Sequence, residues 1–316
     1  MNEQARAHAP GASAPSLIIR AGLFALRMGL IVMLFCAATA QALALPLIGR
    51  LFPFDTARVS SRRAGRRETL DVSAGWRILV EVQRVADSVG AQVFAISGTL
   101  LGIERHGRLL AHDVDIDVGV NLGDPAMMRF LDALNHHSHL VKVTRTRIGK
   151  IEKWLNPWVP ALPDDVLVYA YAFKDPEGLS HQPITLDVFV HFPALGYDVH
   201  GIDLRLWINT PIALSRQHVN GASLLLPSNR QVYLTENYGD YRQEKVVFEN
   251  AVDCPNAVNL YGPRCVIWMI AKLNLYYRAG WMDRLAILNA RKRDMLWHLW
   301  KGPGTPPRWT IGNGNT

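Results

Sequence analysis

Between Asp113 and Val120 the chain reads Asp-Val-Asp-Ile-Asp-Val-Gly-Val, and this alternation limits the folds open to it more than any other feature. A period of two over Asp115–Val120 is that of a strand, with Asp115 and Asp117 on one face and their Cα atoms roughly 6.5–7 Å apart. Asp113 joins them if the strand extends that far. Three carboxylates in a row repel one another, and aspartate is a poor strand former, so a cation is expected to compensate them. Hard oxygen donors at this spacing suit Mg²⁺ or Mn²⁺ better than zinc. A second stretch, Ile184-Thr185-Leu186-Asp187-Val188-Phe189-Val190, is apolar except for the acid at its centre. A buried carboxylate without a partner is costly, so Asp187 is expected to meet a metal or a basic group. If the two strands are neighbours, the three carboxylates can hold one or two divalent ions against a phosphoryl centre.

The surrounding sequence reads as an α+β domain. Trp76, Leu79, Val82, Val85 and Val89 recur near helical spacing ahead of Gly90, which predicts a helix over 71–89. A strand follows over 93–96, and Ser97-Gly98-Thr99 opens a short helix that ends at Gly107. A strand–turn–helix of this kind presents backbone N–H groups to phosphate oxygens. Asp124-Pro125 supplies an N-cap and a first-turn proline for a helix running to about His137. Strands are predicted at 140–148, 166–173 and 184–192, the last two joined as a hairpin through Asp175-Pro176-Glu177-Gly178. Ser228 and Gln231 resemble a capping box for a helix ending at Gly239. Two amphipathic helices, over 263–279 and 283–300, close the domain. The order implies a mixed or antiparallel sheet flanked by helices. His136, His137 and His139 lie where a helix ends and complement its dipole rather than build a zinc site. His106 and His112 flank the acidic stretch and are candidates for substrate contact. Cys254 and Cys265 lack the spacing of a redox or zinc motif.

The charge is unevenly placed. Of the net +7, residues 1–68 hold +6 from nine Arg and three acids, whereas the remaining 248 residues hold 25 basic and 24 acidic side chains. A duplex binder carries its basic surplus on the folded domain, so nucleic acid is not an expected partner. With 49% apolar residues the chain can build a sizeable core, which excludes a disordered chain or a disulfide-stapled mini-protein. The arginines bracket residues 28–48, a run without charge that would span roughly 32 Å as a helix, about a bilayer core. This predicts a transmembrane anchor helix at 28–48, after a basic tail at 1–27 and before an Arg-rich linker at 49–68. A folded domain at 69–301 and a flexible tail at 302–316 complete the division. The Arg excess beyond the span puts the folded domain of such a single-pass membrane protein on the cytoplasmic side. The same segment also reads as a secretory signal, cleaved at Ala38-Thr39-Ala40 and followed by export.

Four ordered motifs resemble the LicD family and its fukutin-type relatives: Ser97-Gly98-Thr99-Leu100-Leu101-Gly102 with Arg105-His106-Gly107; Asp113-Val114-Asp115-Ile116-Asp117; Leu186-Asp187-Val188-Phe189; and Leu226-Pro227-Ser228-Asn229 running into Tyr238-Gly239-Asp240-Tyr241. The resemblance spans about residues 75–245. It implies a nucleotidyltransferase-like fold and a phosphotransferase. Such an enzyme moves a substituted phosphate (phosphocholine, ribitol phosphate or similar) from a CDP-linked donor to a hydroxyl of a glycan or lipid-linked glycan. It further implies that Asp115, Asp117 and Asp187 bind the metal and carry catalysis; a carboxylate beside the attacking oxygen can also take the hydroxyl proton, a role expected of Asp187. Ser97, Gly98 and Thr99 would form the donor-phosphate turn. Arg105 would serve as a phosphate partner with His106 beside it, and Asp113, Tyr238 and Asp240 as accessory positions. Many members have Trp at the position of His112 and Asp at that of Val114. Asp-x-Asp with a divalent ion equally suits a sugar-nucleotide glycosyltransferase, and a membrane-tethered binding protein without catalysis is the non-enzymatic alternative.

Overall fold

The computed structural model describes residues 71–113, 115–174, 184–245 and 248–301, with scattered positions between Gly29 and Gln41. Helix α1 (Val72–Val89) opens the domain: the Asp71 carboxylate accepts the Ala74 N–H, and Gly90 ends the helix at φ 72°, a left-handed turn that glycine adopts without penalty. Ile78, Leu79, Val82, Val85 and Ala86 turn the buried face of α1 inward. There follow β1 (Val93–Ala95), α2 (Ser97–His106), β2 (Asp115–Asn121), α3 (Met127–Asn135), β3 (Leu140–Arg147), α4 (Lys150–Leu155), β4 (Val166–Phe173) and β5 (Thr185–Ala194). The second half holds β6 (Tyr197–Ile202), β7 (Arg205–Asn209), β8 (Leu214–Val219), β9 (Ala222–Pro227), α5 (Arg230–Tyr238), α6 (Asn250–Asp253), β10 (Ala257–Asn259), α7 (Pro263–Arg278) and α8 (Met282–Lys301).

Strand β5 organises the mixed sheet. It lies parallel to β2 from Thr185 to His191 and antiparallel to β4 from Thr185 to Phe189. At Phe192–Ala194 it pairs instead with β6, which leads through β7 to β10, while β1 borders β2 and β3 borders β4. Buried on both faces, β4 and the centre of β5 are the near-continuous apolar runs that such strands require. The β8–β9 hairpin is a separate two-stranded sheet whose β9 packs against β1 and α1. A second apolar cluster, with Met269, Leu273, Tyr276, Leu288 and Met295 at its centre, joins α7 and α8 to the α4 and α6 region.

Most elements fall where the sequence places them, with instructive differences. α3 begins at Met127 because the Asp124 carboxylate is spent on the N–H groups of Gln92 and Ala126 in a preceding turn. α5 has no capping box: the Ser228 hydroxyl donates to Ala213 O, and the helix starts after Asn229. The antiparallel β4–β5 pairing is present, while its turn at 175–183 lies outside the described residues. Cys36, Cys254 and Cys265 are free thiols.

The expected membrane anchor requires correction. Most of 28–48 lies outside the described residues, as do the tails at 1–27 and 302–316 and the linker at 49–68. The described positions from Gly29 to Gln41 are helical, yet no helix among the described residues is long and apolar enough to cross a membrane. A single-pass membrane location with a cytoplasmic domain is therefore not supported. The polar contacts give the physical reason: buried Gln41 donates to Ile270 O at 2.6 Å and Asn274 Oδ1 at 3.1 Å, and accepts from buried Lys292 at 3.2 Å. Gln41 is thus hydrogen-bonded to α7 and α8, while Val32 and Met33 are exposed.

A buried amide clamps the loop after α4 to the chain entering α7. Asn156 donates to Tyr261 O at 2.8 Å and accepts from Tyr261 N at 3.0 Å. Asn156→Ala deprives two buried peptide groups of these partners, each loss being worth about 1–3 kcal/mol. Urea unfolding is expected to show a loss of at least about 2 kcal/mol; unchanged stability would mean that water replaces the amide.

Candidate functional site

The parallel register of β2 and β5 pairs Asp117 directly with Asp187, and Asp115 with Thr185. Paired positions share a face of the sheet, so both strands aim carboxylates to one side. Oxygens of Asp115, Asp117 and Asp187 lie within 4.8 Å of one another. They line a cleft of about 350 Å³ together with Ser97, Gly98, Arg105, His112 and Asp113.

The turn before α2 fixes Asp117 in place. Ile96 N donates to Asp117 O at 3.3 Å, Asp117 N donates to the Thr99 hydroxyl at 2.8 Å, and the Gly98 N–H donates to the Asp117 carboxylate. The Gly98 N–H and the Thr99 hydroxyl, expected to face donor phosphates, are thus turned to Asp117; Thr99 is buried away from the cleft, while Ser97 and Gly98 line it. Ser97 adopts φ 47°, a left-handed conformation that costs a non-glycine residue roughly 1–2 kcal/mol. Gly98 is dictated by a close approach: a Cβ there would collide with the carboxylate of Asp113, whose side chain hydrogen-bonds Asp115.

Without a cation this arrangement is electrostatically unfavourable. Burial, then the charges of Asp115, Asp113 and Asp187, push Asp117 well above the usual carboxylate range, against the Gly98 N–H. Burial raises Asp115, with the Asp113 hydrogen bond opposing. Burial and Asp115 raise Asp187 from 3.8 to about 6. Asp187 Oδ1 is buried with no hydrogen-bond partner. An orphaned oxygen among convergent carboxylates fits a hard divalent cation supplied with all-oxygen ligands.

Other expected residues take different places. Arg105 donates through Nε to Tyr241 O and through Nη2 to Gln243 O at 2.8 Å, so its fork grips a loop. His106 is exposed, 3.5 Å from Glu244. Tyr238 lines the cleft, whereas exposed Asp240 does not, its carbonyl accepting the Gln243 N–H. His137 contacts Glu81 at 2.9 Å and His136 contacts Asp132 O, as helix-end residues should. The other wall of the cleft is formed by Phe189, Ile202, Trp207, Asn237, Lys245 and Phe248. Apart from Phe189 and Tyr238, this wall draws on residues that the motifs do not mark, although the alternation Leu204-Arg205-Leu206-Trp207 is a readable strand signal.

His191, Asp198 and His200 form a second cluster of potential ligands. Its imidazoles stack 4.3 Å apart at 16°, and His191 Nδ1 meets Asp198 Oδ1 at 2.6 Å. Nitrogen lone pairs lie in the ring plane, so near-parallel rings do not converge on one ion. Burial holds His200 well below the usual histidine range, as suits a neutral core ring between Phe189 and Trp207.

Residues 90–156 match the family model described as LicD/FKTN/FKRP, nucleotidyltransferase domain, the family that the motifs resemble. The match includes Asp115 and Asp117; Asp187 lies beyond it. It aligns the chain with transferases of the phosphotransferase or nucleotidyltransferase kind. No curated protein matches the chain.

Two outcomes are expected from this geometry. An acid raised on folding binds more protons folded than unfolded, so stability falls as pH rises between the two values. Metal-free protein therefore loses stability from about pH 4 to 6 on account of Asp187, by roughly 3 kcal/mol at most. Asp187→Asn should remove that part of the slope in chelator-treated melts, and an unaltered slope would contradict the assignment. Gly98→Ala should displace Asp113 and weaken Mn²⁺ binding in titration calorimetry while leaving the far-UV spectrum unchanged.

Proposed function

We propose that this cleft transfers a substituted phosphate, such as phosphocholine or ribitol phosphate, from a CDP-linked donor to a hydroxyl of a glycan. Mg²⁺ or Mn²⁺ would be held by Asp115, Asp117 and Asp187. The observation that carries the reading is the convergence of three carboxylates from adjacent parallel strands, Asp117 buried and Asp115 and Asp187 half-buried, one with an orphaned oxygen, in a cleft of about 350 Å³. The family match over residues 90–156 supports the reaction class. When bound, a divalent ion supplies charge neutralisation and polarisation of phosphoryl oxygens.

The protein's own contribution is positioning. Asp117 enters the reaction already fixed by its three bonds to residues 96–99, so little reorganisation accompanies charge development. Asp113 hydrogen-bonds Asp115 and helps to orient it. Asp187 can accept the proton of the attacking hydroxyl through the oxygen not committed to the ion, since a carboxylate beside the attacking oxygen serves as a general base. Phe189, Trp207, Tyr238 and Phe248 offer an apolar wall that can exclude water around the donor.

With donor labelled in its distal phosphate, the label should appear in the glycan and CMP should be released. Asp115→Asn should lower turnover by more than the roughly 10–100-fold typical of groups that only support a ligand, with its melting profile retained. Release of a nucleoside diphosphate would identify sugar transfer instead, and near-normal turnover in folded Asp115→Asn would refute the site.

A further inference from the structure

Building on the nucleotide-donor reading, we infer that Lys245 receives the donor's diphosphate and that Arg105 acts only through it, as a strap holding the loop from Tyr241 to Lys245 at the cleft mouth. The Nε/Nη2 edge of Arg105, the fork with which arginine grips a phosphate, is spent on the carbonyls of Tyr241 and Gln243. The loop is anchored otherwise as well. It leaves α5 at Gly239, whose φ 70°, ψ −127° is open to glycine and strained for other residues. Tyr241 is buried and its N–H returns to Gly239 O at 2.8 Å. The Gln243 N–H closes onto Asp240 O at 3.2 Å.

Two residues beyond the strap, Lys245 is exposed and lines the cleft. Its ammonium contacts Tyr238 O at 3.4 Å and lies 5.6 Å from the Phe248 ring centre, and both of these residues line the cleft too. Among the described residues it forms no ion pair with a carboxylate. Its Tyr238 neighbour is near enough to Asp117 and Asp113 for their charges to raise the phenol further, burial being the larger cause. Four acids line this cleft, against Arg105 and Lys245 as its permanent cations. A diphosphate entering there brings more negative charge, and an ammonium with three rotatable donors can bridge oxygens without a fixed planar geometry. With Arg105 bound to the loop, Lys245 is the cation left to meet it.

Titration calorimetry of the full chain with CDP and with inorganic pyrophosphate, at fixed Mg²⁺, tests this. Lys245→Gln should weaken both ligands about 10–100-fold, the range of a charge-assisted hydrogen bond, and Lys245→Arg should restore much of the loss. Arg105→Gln should weaken them as well, yet add nothing in the Lys245→Gln background, because non-additivity marks residues acting as a unit. Mn²⁺ affinity should be unchanged in every variant. Losses that multiply in the double variant would mean that Arg105 meets phosphate itself and would overturn the inference. So would wild-type affinity in Lys245→Gln, or Mn²⁺ affinity falling in step with CDP affinity. Wild-type protein that binds pyrophosphate but not CDP would instead refute the parent reading of the donor.

Discussion

The pairing of Asp117 with Asp187 across two parallel strands is the constraint around which the molecule is arranged. Ladder hydrogen bonds at this position bring two carboxylates to neighbouring sites, with Asp115 close by. Among the described residues no protein cation pairs with them: Asp187 Oδ1 has no partner, and all three acids hold protons more tightly than exposed acids do. The fold tolerates this because the carboxylates occupy one end of otherwise strongly apolar strands. Buried Ile116, Val118 and Val120 on β2, with Leu186, Val188 and Val190 on β5, provide the offsetting burial.

The turn before α2 is the second element of that arrangement. It brings three main-chain and side-chain contacts to a single acid, and a glycine leaves room for another. Its role is to orient the carboxylates rather than to offer its amides to solvent. The strained Ser97 conformation follows from the same geometry: the chain must leave β1 and start α2 while keeping Ile96, Gly98 and Thr99 against Asp117. Such strain persists where the surroundings over-determine the backbone.

Much of this was legible in the residues. Alternation identified β2, the lone acid in an apolar run marked Asp187, and glycines at 90 and 107 marked the ends of α1 and α2. What periodicity cannot convey is which strands are neighbours, because register depends on long-range pairing. For the same reason the far wall of the cleft, built from β6, β7 and the chain after α5, went unmarked. Arg105 and Thr99 stood out in the motifs, but their partners did not: a hydrogen bond from Arg105 to a carbonyl 136 positions away leaves no local trace. The anchor reading failed differently. A charge-free run predicts a spanning helix, yet no helix among the described residues is long and apolar enough to cross a membrane, and the contacts of Gln41 with α7 and α8 are tertiary facts.

Strand β5 changes partners part-way along its length, from β4 to β6, and carries Asp187 before the change and the route to Trp207 after it. The carboxylate cluster and the wall that carries Trp207 are therefore mounted on one continuous beam. Substitutions in β6 and β7 can reshape what is admitted without disturbing the acids, whereas an insertion within β5 would shift both ends at once. Tolerance to change should accordingly be uneven along this chain, generous in the wall and minimal in the strand that supports it.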